Sequence, residues 1–245
     1  QFDKVKQFFD AAKIKRFEMP GFEADDLIGT LVKKFSSEEN LKIIILTGDL
    51  DTLQLVNDDK IVIYTMKKGI QDTIIYNEDQ IKERYGLLPN QIVDFKALKG
   101  DPSDNIIGVK GIGEKTAIEL IKEFGSLENL YQTIENENFI NNPKSKLIKP
   151  KTLQCLIEQK EQAFFSKYLA TLNCDVPLEV KLDDLKFENI NKNDLIPLFK
   201  EWKFESLLNQ LNNSNNNSKH QLINNYSQNN KSINWEIPEK INNFS

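Results

Sequence analysis

Seven carboxylates stand in three tight groups along this 245-residue chain: Glu23, Asp25 and Asp26; Asp49 and Asp51; Asp101 and Asp104. Acids packed this densely repel one another unless something positive sits between them, and no basic residue stands immediately beside any of the seven. Hard divalent cations such as Mg²⁺ or Mn²⁺ prefer oxygen ligands of this kind. If the groups converge, they can hold two ions or more, and the chemistry is metal-assisted. The single histidine, His220, lies in an Asn-rich stretch, so Ser-His-Asp and Cys-His mechanisms are excluded.

Each group also has a plain local reading. Glu23 and Asp26 share a face of a first helical turn, where acids complement the helix dipole, while Asp25 points away from Glu23. Asp49 and Asp51 follow a buried strand and, if extended, project to one side of its carboxyl end, where ligands bind in open α/β sheets. Asp101 can cap a helix that has Pro102 in its first position, with Asp104 three residues on. Asp49, Asp51 and Asp26 are expected closest to an ion. Glu23, Asp101 and Asp104 are expected at or just behind it, and Asp25 is the weakest candidate on helical geometry.

A glycine motif forms the second signal. Gly108, Lys110, Gly111, Gly113, Lys115 and Thr116 fall in GVKGIGEKT. Glu114 interrupts the Gly-Lys-Thr run of a P-loop and no buried strand precedes it, so the nucleotide-binding readings fail. A hairpin between two helices fits better, its backbone N–H groups cradling phosphate without reading sequence. Lys144, Lys146, Lys149 and Lys151 follow in a stretch, 142–153, that contains no acid.

The elements that must position these residues are legible in the periodicity. Helical patterns run over 2–12 and 23–35. Residues 42–47 read as a strand buried on both faces, typical of a parallel sheet. A helical turn at 52–56 and strands at 61–64 and 73–76 follow, predicting an α/β layer of mostly parallel sheet with flanking helices. Helices are then predicted over 78–85, 90–98, 114–124 and 127–134, as one longer stretch over 152–172, and over 193–200 and 206–211. This divides the chain into an α/β metal-site portion (1–88), a helical DNA-binding portion with the hairpin (89–211) and an Asn-rich linker or tail (212–245).

With 39% hydrophobic residues the chain can bury a proper core, and no apolar run is long enough to span a bilayer. Two cysteines, Cys155 and Cys174, are too few for a disulfide framework, which fits a reducing cytoplasm. The net charge of −5 argues at first against nucleic acid. Over residues 1–105, however, 15 basic residues face 19 acids, and setting aside the seven clustered acids turns that balance to +3. Gln1 is not an initiator residue, so the chain is expected to be a fragment of something longer.

Taken in order, GFEADDLIGTL, LTGDLDTLQLV, ALKGDPSDNIIGVKGIGEKTAIELIKEFGSLENL, YLATLNCDVPLEV and EWKFESLLNQL resemble the 5′-nuclease (5′-3′ exonuclease) domain of bacterial DNA polymerase I, itself similar to the flap endonucleases. The resemblance implies that Glu23, Asp25, Asp26, Asp49, Asp51, Asp101 and Asp104 are metal-binding acids. It implies that 108–116 is a helix-hairpin-helix gripping duplex DNA, which in relatives can hold K⁺. The implied substrate is DNA with a 5′ end, flap or nick, in replication and repair, with a polymerase domain covalently linked and no membrane partner. The family pattern also begins with a strand carrying another metal-binding Asp, a second Asp and a basic helical arch, which this chain does not contain. The rival expectation is therefore a non-catalytic helix-hairpin-helix DNA-binding fragment lacking those N-terminal catalytic residues.

Overall fold

The computed structural model describes residues 2–58, 60–66, 73–187 and 190–213. Most of the expected tail, from 214 onward and including His220, lies outside the described residues. The chain forms two compact units, Phe17–Asp184 and a smaller one built from Gln1–Arg16 with Leu185–Ser245.

Helix α1 (Phe2–Ala11) belongs to the smaller unit. Its Phe8 ring stacks on Phe199 at a centroid distance of 6.1 Å, beside buried Ala12 and Leu195.

In the larger unit, α2 (Ala24–Phe35) buries Leu27, Val32 and Phe35, the face its periodicity predicts. Strand β1 (Ile43–Leu46) pairs in parallel with β2 (Ile61–Met66), Ile43 opposite Ile61. β3 (Thr73–Tyr76) then pairs antiparallel with β2, Ile63 opposite Tyr76. The described sheet is thus mixed rather than mostly parallel. The reason is the connection between Met66 and Thr73, too short for the crossover that a parallel neighbour requires. Nor is β1 buried on both faces. Among the described residues it is one of the two edge strands; Ile45 is buried, whereas Ile44 and Leu46 are 61% and 67% exposed.

The helical part comprises α3 (Glu78–Tyr85), α4 (Ile92–Lys99), α5 (Glu114–Phe124), α6 (Leu127–Ile134), α7 (Pro150–Glu158) and α8 (Lys160–Ala170). Leu98, Val109, Ile121, Leu127, Leu130 and Leu156 are fully buried in one core continuous with the sheet. Each such side chain contributes about 1.5–3 kcal/mol relative to exposure. α4 is the hub, packing on both α8 and α5. The single helix expected over 152–172 is broken at Gln159, whose side-chain amide pairs with both the N–H and the C=O of Lys110, at 2.8 and 3.0 Å. The smaller unit ends with α9 (Lys192–Glu201) and α10 (Glu205–Asn213).

Candidate metal centre

Asp49 and Asp51 stand just beyond β1, where a 3₁₀ turn (Leu50–Leu55) begins. Asp49 caps that turn, accepting the Asp51 N–H at 3.0 Å. Asp101 caps a second 3₁₀ turn (Pro102–Asp104), with Pro102 in its first position as the sequence suggests. The loop is closed by reciprocal 2.8 Å backbone hydrogen bonds between Asp101 and Ile106. It is further fixed by Gly100 at φ +82, where an added Cβ would lie 2.6 Å from the Ile107 carbonyl oxygen. These two turns bring oxygens of Asp51, Asp101 and Asp104 within 4.8 Å of one another. Asp49, Asp51 and Asp101 line a cleft of about 440 Å³, together with Tyr85, Phe95, Lys96 and Ser103.

The first acid group joins them in an unexpected way. Burial, followed by the charges of Asp49, Asp51, Glu23 and Asp26, pushes the Asp25 carboxyl up to about 6. Asp25 is therefore within electrostatic reach of the other acids. Both Asp26 oxygens accept backbone N–H groups instead: Oδ2 from Glu23 at 3.2 Å and Oδ1 from Asn173 at 2.9 Å. The Asn173 N–H thus ties Asp26 to the segment after the last long helix of this unit. Glu23 is exposed at the N-cap of α2.

A basic partner is also present. Lys96, on α4, hydrogen-bonds Asp51 and lies 2.7 Å from an Asp101 oxygen, its side chain only 12% exposed. Burial disfavours its charge, but Asp101 and Asp51 outweigh that and hold the ammonium above its ordinary pKa. Burial likewise pushes Asp101 up, and the hydrogen bonds from Lys96 and Ser103 overcome it and lower that carboxyl. At Asp51 burial wins over Lys96, and Asp49 and Asp104 add to the upward shift. The sequence offered a signal for Lys96: α4 buries Ile92, Val93, Phe95, Ala97 and Leu98, and a charged side chain among them needs partners.

The residues fit a divalent cation. Oxygens of three carboxylates on two separate turns converge, and the burial and repulsion that raise nearby Asp25 are what a bound cation relieves. Asp51, Asp101, Asp104 and Asp25 could hold it, with Asp49 at the rim.

The glycine motif forms the expected hairpin ahead of α5. Gly113 is the N-cap of α5 in extended conformation, with nothing within 4 Å of a built Cβ. Among the described residues, the N–H groups of Gly111 and Gly113 meet no internal acceptor. With the first turn of α5 they leave several N–H groups open at the hairpin. Gly108 plays another part: at φ +67 it packs against the Gly100 backbone and donates to the buried Ser166 hydroxyl at 3.1 Å. Lys110 and Lys115 are exposed beside the hairpin, and Thr116 shares a groove with Lys149. Lys146 is exposed nearby. Lys144 is committed elsewhere, donating to the Glu123 carbonyl at 2.6 Å and lying over the Phe124 ring.

Comparison with known proteins gives the family and the fold. Residues 1–86 match the 5′-3′ exonuclease N-terminal resolvase-like domain, and residues 87–193 match the 5′-3′ exonuclease C-terminal SAM fold. DNA polymerase I of Bacillus subtilis (strain 168) is 42% identical over 207 residues, covering 84% of this chain and 22% of that protein. DNA polymerase I of Caldicellulosiruptor bescii is 42% identical over 214 residues, covering 86% of this chain and 24% of that protein. The chain thus spans less than a quarter of the length of these relatives. Among solved structures, T5 5′-exonuclease with bound zinc superposes with a TM-score of 0.57 at 24% identity, over 82% of this chain and 66% of that one, which establishes the fold. The bacteriophage T5 flap endonuclease, solved as a pseudo-enzyme-product complex with DNA and metal ions, gives 0.56 at 26% identity over 70% and 58%. With both domain models matched in order over residues 1–193, the chain belongs to the 5′-3′ exonuclease family.

Proposed function

We propose that this chain is the 5′-nuclease portion of a cytoplasmic DNA polymerase I, hydrolysing DNA phosphodiesters at a 5′ end, flap or nick during replication and repair. The observation that carries the reading is the convergence of Asp51, Asp101 and Asp104, with Asp25 alongside, in a cleft walled by α4, which leads through the Asp101 loop into the phosphate-gripping hairpin. Mg²⁺ or Mn²⁺ held by these acids would supply an activated water and a charge that stabilises the leaving oxygen. The chain's own residues do the rest. Asp51, Asp101 and Asp104 gather the negative charge that attracts the ions, and Lys96 balances it from the floor of the cleft. Gly111, Gly113 and the first turn of α5 take the DNA backbone, with K⁺ at the hairpin as its monovalent ion. Lys110, Lys115, Thr116, Lys146 and Lys149 add contacts around them. Sequence is not read, because these contacts go to phosphate.

A second reading has one observation in its favour. Lys96 already pairs with both Asp51 and Asp101 and offsets part of their charge without a metal, in which case the chain would be a non-catalytic duplex-binding module. Asp51→Asn in the complete protein separates the two. The nuclease reading expects Mg²⁺-dependent cleavage of a 5′-flap duplex to be lost while affinity for that DNA in Ca²⁺ is kept. Cleavage retained at saturating Mg²⁺ refutes the assignment, and a native protein that binds duplex DNA but no Mn²⁺ establishes the binding module.

A further inference from the structure

We propose that Gln54 is a positioning residue for the metal centre, fastening the Asp51 backbone to the end of the helix that also fastens the hairpin. The proposal rests on the nuclease reading above. Gln54 lies on the 3₁₀ turn after Asp51, and its half-buried amide makes three hydrogen bonds. Nε2 donates to the carbonyl of Asp51 at 2.9 Å and to that of Ala170 at 3.1 Å, while Oε1 accepts the Leu172 N–H at 3.2 Å. Thr171 follows the last residue of α8, so Gln54 caps that helix, satisfying the Ala170 carbonyl that its end leaves open and the Leu172 N–H just beyond it.

The same helix holds the other half of the machinery. Ser166 accepts the Gly108 N–H, and Lys167 lies 2.6 Å from the buried Asp94 carboxylate on α4, two residues before Lys96. Just beyond α8, Asn173 donates to Asp26. Ser166 and Ala170 are one helical turn apart, about 6 Å along the axis. α8 and its extension therefore set a fixed distance between a grip on phosphate and the acids that act on it. Gln54 is the one side chain among these ties that reaches the carbonyl of Asp51.

The test is Gln54→Met in the complete protein, which keeps size and removes all three bonds. Loss of a group that orients a ligand typically costs about 10- to 100-fold in metal affinity or activity. Mn²⁺ affinity followed by electron paramagnetic resonance should fall by that factor, and kcat on a 5′-flap duplex should fall with it. KM and the affinity for DNA in Ca²⁺ should stay at native values, which a general loss of structure would not allow. Native Mn²⁺ affinity in the folded variant overturns the proposal, as does a rise in KM at unchanged kcat. Should Gln54→Met fail to fold, Gln54→Glu keeps the acceptor for Leu172 and loses the donors; native Mn²⁺ affinity there is equally fatal. A native protein that binds Mn²⁺ without cleaving sinks the nuclease reading alone, and the Mn²⁺ comparison still decides the role of Gln54.

Discussion

Replacing Lys96 with methionine tests whether one ammonium keeps the acid cluster together before metal arrives. The side chains of Lys96, Asp51 and Asp101 are 12%, 16% and 19% exposed, so water screens them poorly. At an effective dielectric of about 20, a charge pair at the 2.7 Å seen for Lys96 and Asp101 attracts by about 6 kcal/mol, most of it offset by desolvation. Removing one partner of a buried pair is dearer than that balance suggests, about 3–5 kcal/mol, because the surviving charge is left uncompensated. Here two carboxylates survive, within 4.8 Å of each other and of Asp104. Methionine fills the same space, so no cavity adds to the loss.

For a unit the size of residues 17–184, each kcal/mol moves the Tm by about 2–4 °C, so the metal-free variant should melt about 6–20 °C below the native protein. Metal should then reverse the order of response. An ion at about 100 times its Kd stabilises by about 2.7 kcal/mol. In the native protein part of that is spent displacing Lys96, whereas in Lys96→Met the site is already vacated. Differential scanning calorimetry in EDTA and then in Mn²⁺ reads both quantities. Equal melting of the two proteins in EDTA would show that Lys96 holds nothing. A Mn²⁺ shift no larger in the variant than in the native protein would show that metal and lysine do not share these oxygens.

Gly113→Val should lower the Tm only slightly, since φ −91 suits any residue and the space around the Cβ is open while valine is a poorer N-cap than glycine, yet weaken DNA binding by obstructing phosphate. Unchanged affinity across a salt series would refute the hairpin's role. Asp25 supplies the pH prediction. Its carboxyl is raised from 3.8 to about 6, so the folded state holds this proton more tightly than the unfolded chain. The stability it contributes is present at low pH and disappears as pH climbs through about 6. In EDTA, native protein should therefore lose Tm relative to Asp25→Asn between pH 4 and 6.5, roughly the interval between the two pKa values. Its Mn²⁺ affinity should strengthen over the same interval as the proton is displaced. A Tm difference that stays constant with pH would contradict the placement of Asp25 among the acids.

What the sequence disclosed was what short segments decide for themselves. The periodicities of α2, α5 and α6, the strands, the Asp101-Pro102 cap and the hairpin glycines follow from neighbours within a few residues. The order of the acids in the site was not disclosed. Helical geometry set Asp26 beside Glu23 and Asp25 apart, which describes the helix correctly but is silent about which side faces the cleft. The Asn173 N–H that Asp26 accepts, and the charges of Asp49 and Asp51 that help raise Asp25, both come from other segments of the chain. The break at Gln159 has the same character: no proline or glycine marks it, only a side chain that bonds Lys110 across the fold.

These misses share a cause, and it bears on mechanism. Asp26, Gln54, Ser166, Lys167 and Gln159 all make their decisive contacts between residues 159–173 and elements far earlier in the chain. A carboxylate group that repels itself has no local reason to hold one geometry; its spacing must be imposed from outside. In this fold the imposing body is α8 with the few residues after it, which carry no carboxylate of the site. The acids define what ion can bind, and the helix opposite defines where they stand when it does. A variant along that helix should therefore weaken Mn²⁺ binding, read by electron paramagnetic resonance, without removing any acid of the site.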